Sequence, residues 1–102
     1  MLTSKQRKKL SSLGQKIEPI FQIGKNGLSD ALVNELSNAL EARELIKISV
    51  LNNSEIVAKD LINGLSESLK AEPVSCIGSK MVIYRRSKKD IKHIDLDSRA
   101  PQ

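Results

Sequence analysis

The stretch whose residue types and spacing could do chemistry is Gly24-Lys25-Asn26-Gly27-Leu28-Ser29. It follows an apolar, strand-like run (Ile20-Phe21-Gln22-Ile23) and precedes an amphipathic segment. Glycine at positions 24 and 27 lets the backbone turn tightly and come close to a ligand with no Cβ in the way. Ser29 is a good N-cap, so the next helix is expected to start there, its free N–H groups and positive dipole end facing the loop. Such a helix start binds anions, and Lys25 adds a mobile positive charge. Phosphate binding is the chemistry this implies. The same spacing also suits a plain strand-to-helix connection, so GxxG alone does not decide.

Covalent or metal chemistry finds little to work with. Cys76 is the single cysteine, so neither a disulfide framework nor a metal-ligand spacing exists. By alternation it shares its strand face with Val74, and it reads as a small buried residue rather than a nucleophile. His93 sits in a polar tail where no base is held in a fixed orientation. Paired carboxylates, a phosphate-binding Walker loop and a ligand cluster are all missing from the sequence. No catalysis, cofactor, metal or small-molecule substrate is expected.

The elements that must position the loop can be read from periodicity. Thr3 with Gln6 forms a capping-box pattern, predicting a helix that runs to about Leu13 and ends at Gly14. Pro19 introduces a strand over Ile20–Ile23. Leu32, Val33, Leu36 and Leu40 recur at helical spacing, predicting a helix from Asp30 to about Ala42, with Leu28 stapled on Val33. Leu45–Leu51 reads as a strand with Ile46, Ile48 and Val50 on one face. Lys47 points away from that face and reads as a sheet-edge or solvent lysine.

Asn52-Asn53 is a turn, and Ser54 caps a third helix. Its stripe of Val57, Leu61, Leu65 and Leu69, widened by Ala58 and Ile62, implies deep burial. Pro73 closes the helical region. Val74–Ile77 and Lys80–Arg85 then flank Gly78-Ser79 as a hairpin, with Gly78 where positive φ is needed. The expected fold is α/β: a two-layer-type domain of order α-β-α-β-α-β-β with a four-stranded mixed sheet. The domain is expected over residues 1–86, followed by a polar basic tail over 87–102 with mobile last residues.

Charge sharpens the anion argument. The 102 residues carry a net charge of +5. Residues 1–28 hold six Lys/Arg against one acid, residues 29–79 four against eight, and residues 80–102 seven against three. A solvated scaffold with two basic ends fits a polyanionic partner. Lys5, Arg7, Lys8 and Lys9 crowd the first turns of the opening helix, where cations oppose the macrodipole at a cost of a few tenths of a kcal/mol each. Phosphate contact accounts for that placement, and so would a merely solvated face. Phe21 and Tyr84 are the only aromatic residues, too few for a sheet that stacks bases. Tyr84 reads as packed rather than stacking. One cysteine and no apolar leader or membrane-length run lead to the expectation of a cytoplasmic protein.

Four stretches together resemble a known family. Leu2-Thr3-Ser4-Lys5-Gln6-Arg7-Lys8-Lys9-Leu10, the Gly24–Ser29 loop, Glu44-Leu45-Ile46-Lys47-Ile48 and Ile77-Gly78-Ser79-Lys80-Met81-Val82-Ile83-Tyr84-Arg85 are similar, in order and spacing, to the CRM domain (chloroplast RNA splicing and ribosome maturation) in its single-domain bacterial, YhbY-type form. Ser29 stands where the family usually has Thr, and either caps a helix. The resemblance implies a fold similar to the C-terminal domain of translation initiation factor three. It also implies a GxxG loop that contacts RNA much as the loop of KH domains does, and association with precursors of the large ribosomal subunit.

On that basis the RNA-binding residues are expected to be Gly24, Lys25, Asn26, Gly27 and Ser29, with Lys5, Arg7, Lys8 and Lys9 extending the surface. Arg85 and Arg86, with Lys88 and Lys89, either join it or merely solubilise a flexible end. Such contacts position RNA and carry little sequence information. The implied partner is ribosomal RNA in pre-large-subunit particles, bound by a monomer. The alternative is a protein-interaction adaptor whose basic ends meet an acidic partner. Attachment to anionic membranes is weaker still, because the first helix lacks a broad apolar face.

Overall fold

The structure is a computed structural model and describes residues 2–24, 29–51, 55–89 and 94, with the side chains of 55–59 excepted. Its elements are α1 (Ser4–Gly14), β1 (Phe21–Ile23), α2 (Asp30–Arg43), β2 (Leu45–Val50), α3 (Glu55–Leu69), β3 (Glu72–Ile77) and β4 (Lys80–Tyr84). The four strands form one mixed sheet in the order β1-β2-β4-β3. β1 pairs parallel with β2 through the crossover helix α2, and β4 inserts antiparallel between β2 and β3. Element order and the mixed sheet are as the sequence implied.

Alternation along the strands divides the interior in two. Ile46, Ile48 and Val50 of β2, Met81 and Ile83 of β4, and Ile23 of β1 meet Leu36 and Leu40 of α2 and Ile62, Leu65 and Leu69 of α3. The opposite face presents Leu45, Val74, Val82 and Tyr84 to Leu10 of α1, with Leu13 and Ile17 alongside. α1 therefore adds a third layer, over part of the sheet, to the two-layer stacking expected. Its apolar residues are too sparse to reveal this alone, and what specifies it is the second apolar patch that Leu45, Val74, Val82 and Tyr84 form on the other face of the sheet.

Local chemistry explains the ends of the elements. Thr3 Oγ1 accepts from the Gln6 N–H (3.1 Å) and the Gln6 side chain accepts from the Thr3 N–H (2.9 Å), completing the capping box. Gly14 is the last residue of α1, with Gln15 as its C-cap. It is buried against β4, and a Cβ there would lie 2.9 Å from Val82 Cγ1. Gly78 has φ +61°, the left-handed value its hairpin turn requires.

One further expectation shifts. β3 begins at Glu72 rather than after Pro73, and the ladder changes register between Pro73 and Ser75. β3 is an edge strand, where proline is tolerated beside a bulge. After Arg86, Ser87 is buried and Ile94 packs against the α1-side cluster. The Asn52-Asn53 turn, the Ser54 cap, the Leu28 staple and His93 lie outside the described residues. Among the described residues, no helix is long and apolar enough to cross a membrane.

Candidate nucleic-acid interface

Gly24 leaves the end of β1 half-buried, with nothing among the described residues within 4 Å of where a Cβ would stand. None of the described residues therefore makes a steric demand for glycine at this position. Ser29 adopts φ −118° and ψ 161°, and its Oγ accepts from the Leu32 N–H at 3.1 Å. It is the N-cap the sequence predicted, with Asp30 in the first turn of α2. Lys25, Asn26 and Gly27 lie outside the described residues.

The other expected contacts divide. Lys5, Arg7 and Lys8 are exposed, and Lys9 is half-buried. They stand on the part of α1 nearest the start of β3, where the Leu2 N–H donates to the Glu72 carboxylate (3.3 Å) and Arg7 borders a groove beside Pro73 and Ser75. β1 and β3 are opposite edges of the sheet, so the basic turn and Gly24 are separated by its width.

Arg86, Lys88 and Lys89 are exposed. Arg85 is not a surface cation. Its guanidinium donates to Leu69 O (2.8 Å), to Ser37 O and Oγ (2.9 and 3.1 Å) and to Glu41 Oε2 (3.1 Å). It thereby ties the end of β4 to α2 and to the end of α3. Sequence proximity to Arg86, Lys88 and Lys89 concealed this, because its partners lie 16 to 48 residues away.

The same region fastens the chain after β4. Glu44 is fully buried at φ 67°, and its carboxylate accepts from the N–H groups of Ser87 and Ile94, both at 2.7 Å. The Lys88 N–H donates to Glu41 at 3.0 Å. That bond holds the Glu41 carboxyl below its ordinary value, against the opposing effect of burial and with help from Arg85 and Ser87. Tyr84 is buried in the α1-side cluster, its hydroxyl pKa raised by burial and by the nearby Glu44 charge. Its ring is thus a core element rather than a stacking platform.

Lys47 points away from the face of Ile46 and Ile48, as expected, and differs only in its place in the sheet. β2 is an inner strand, so Lys47 is not at a sheet edge; it stands on the α1 side of the sheet, half-buried. Its alternation with Ile46 and Ile48, together with the hairpin register that sets Lys80 opposite Ser49, was the available signal.

The CRS1 / YhbY (CRM) domain matches residues 2–85. The chain belongs to the CRM family. This CRM domain is 43% identical over 96 residues to Probable RNA-binding protein YqeI of Bacillus subtilis, covering 94% of this chain and 99% of that one. It is 35% identical over 86 residues to an RNA-binding protein of Haemophilus influenzae, covering 84% and 87%. Among solved structures, the solution structure of the hypothetical protein SAV1595 from Staphylococcus aureus matches it with TM-score 0.78 and 47% identity, over 89% of this chain and 95% of that one. The family is one of RNA-binding proteins, not enzymes.

Proposed function

We propose that this CRM domain binds RNA, docking on structured ribosomal RNA during assembly of the large ribosomal subunit. It acts in the cytoplasm, as a monomer, through the Gly24–Ser29 loop and the basic surface of α1. One observation carries the reading. A chain matched over residues 2–85 by a domain whose relatives bear RNA-binding names has, at the end of β1, a glycine with open space among the described residues where a side chain would stand. A position left open in this way permits close approach of a phosphate backbone to the main chain and to the first turn of α2. Lys5, Arg7 and Lys8 supply electrostatic capture, and Ser29 keeps the helix start in place.

The test is sedimentation of tagged protein from cell lysate through a density gradient, with sequencing of the crosslinked RNA, wild type beside Gly27→Asp. Wild-type signal on large-subunit precursors that the folded variant loses is the expected result. Protein that stays at the top of the gradient without crosslinked RNA overturns the reading. A complex that survives nuclease points instead to an acidic protein partner.

A further inference from the structure

α1 covers only part of its side of the sheet. Gly14 brings its last turn down on Val82, and the chain then turns away through Gln15, whose N–H bonds back to Ser11 O. Beyond that point one complete cross-strand row lies outside the α1-side cluster. The register aligns Gln22 of β1 with Ser49 of β2, Ser49 with Lys80 of β4, and Lys80 with Ile77 of β3. Gln22, Lys80 and Ile77 are exposed and Ser49 is half-buried. At strand spacings of about 4.8 Å the row spans roughly 14 Å.

In the adjacent row Lys47 and Ser75 flank Val82. Lys47, Ser75, Lys80 and Ile77 line a groove of about 350 Å³ beside Gly14, and Gln22, Ser49 and Lys80 line another of about 590 Å³. Side-chain cations in these grooves and the one next to them are Lys16, Arg43, Lys47 and Lys80, against the single carboxylate of Glu18. Among the described residues, neither the Lys47 nor the Lys80 ammonium has a hydrogen-bond or ion-pair partner.

This row begins two residues before Gly24, and the groove at its far side reaches Ser75, which also borders the groove of Arg7. It therefore joins the end of β1 to the basic turn of α1. Resting on the RNA-binding reading, we propose that the open sheet row is a backbone track. An RNA strand held at the GKNG loop crosses Gln22, Ser49 and Lys80 toward the basic turn of α1, with Lys47 and Lys80 neutralising its phosphates. Gln22, Ser49 and Ser75 provide hydrogen bonds to phosphate and sugar, a pattern that fixes register without reading sequence. With no aromatic side chain in the row, the track is electrostatic and does not stack bases.

The test measures binding of a mixed-sequence single-stranded RNA oligonucleotide across a salt series, for wild type and for Lys47→Gln, Lys80→Gln and Lys70→Gln. Lys70 is an exposed lysine in the α3–β3 connection and serves as the charge-matched control. Each phosphate contact contributes about 0.7 to the slope of log K against log salt for single strands. Lys47→Gln and Lys80→Gln should each flatten the slope by about that amount, Lys70→Gln should leave it unchanged, and Lys47→Arg should restore it. Wild-type slopes in both track variants, with Gly27→Asp still weakening binding, overturn the track and leave the loop assignment standing. Absence of wild-type binding to the single strand overturns the track, whereas docking on structured RNA stands or falls with the gradient experiment above.

Discussion

Replacing Gly14 with alanine tests whether α1 sits on the sheet as described. On helix propensity alone the change is favourable, by up to about 1 kcal/mol. The structure opposes it: the new methyl would lie 2.9 Å from Cγ1 and 3.0 Å from Cγ2 of Val82. Val82 is buried, and a β-branched side chain in a strand has few rotamers to retreat into. Overpacking of this kind costs about 1–3 kcal/mol, so the net expectation is a loss of about 1–2 kcal/mol. For a domain of this size each kcal/mol lowers Tm by about 4–8 °C. Val82→Ala removes two buried methyl groups and should cost about 2 kcal/mol on its own.

The decisive measurement is the double variant, followed by circular dichroism in urea. In the Val82→Ala background the methyl added at position 14 enters vacated space, so its penalty should vanish or reverse, giving a coupling of about 1–3 kcal/mol. A Gly14→Ala protein that melts higher than wild type, or a cycle that adds without coupling, would refute the close approach. The exposed row beside it would then have a different boundary.

Arg85→Gln should lower stability by about 2–3 kcal/mol in urea unfolding, because carbonyls of α2 and α3 lose a charged donor, while the salt slope of RNA binding stays at the wild-type value. A flattened slope with unchanged stability would return Arg85 to the binding surface. Gly24→Ala should leave stability within about 0.5 kcal/mol of wild type, as at other surface sites, yet weaken RNA binding several-fold; equal affinity for RNA counts against the loop. The Glu41 carboxyl titrates below its ordinary value in the folded protein, so its contribution is present above that ordinary value and is lost as pH falls through the folded one. Thermal melts should therefore show a smaller acid-side decline for Glu41→Gln than for wild type, and parallel curves would contradict the bonds from Lys88 and Arg85.

Much of the fold was legible because its signals are local. The capping box at Thr3 and Gln6, the Ser29 cap, the stripe of Leu61, Leu65 and Leu69, and the Gly78 turn each depend on residues a few positions apart. What escaped was set by distant partners. Gly14 looks like a helix stop until Val82 is seen beneath it. Arg85 looks like one of a basic run until Ser37 and Leu69 are seen around it. Lys47 and Lys80 are 33 positions apart in sequence, and only the pairing of β2 with β4 brings them to neighbouring rows. Of the candidate site, the Ser29 cap was readable in sequence, and the alignment of Gln22, Ser49 and Lys80 across three strands was not.

The bonds around Glu41, Glu44 and Arg85 all grip one end of α2, while Ser29 and the loop stand at the other. A helix of 14 residues is about 21 Å long. Tilting it by about 5° at the gripped end would swing the Ser29 end by about 2 Å, more than a hydrogen bond tolerates. The buried carboxylate and the guanidinium thus act as the root of a lever, keeping its tip still. A tip already held in place gives up less conformational freedom when a ligand arrives, so residues remote from any phosphate help set how tightly one is held.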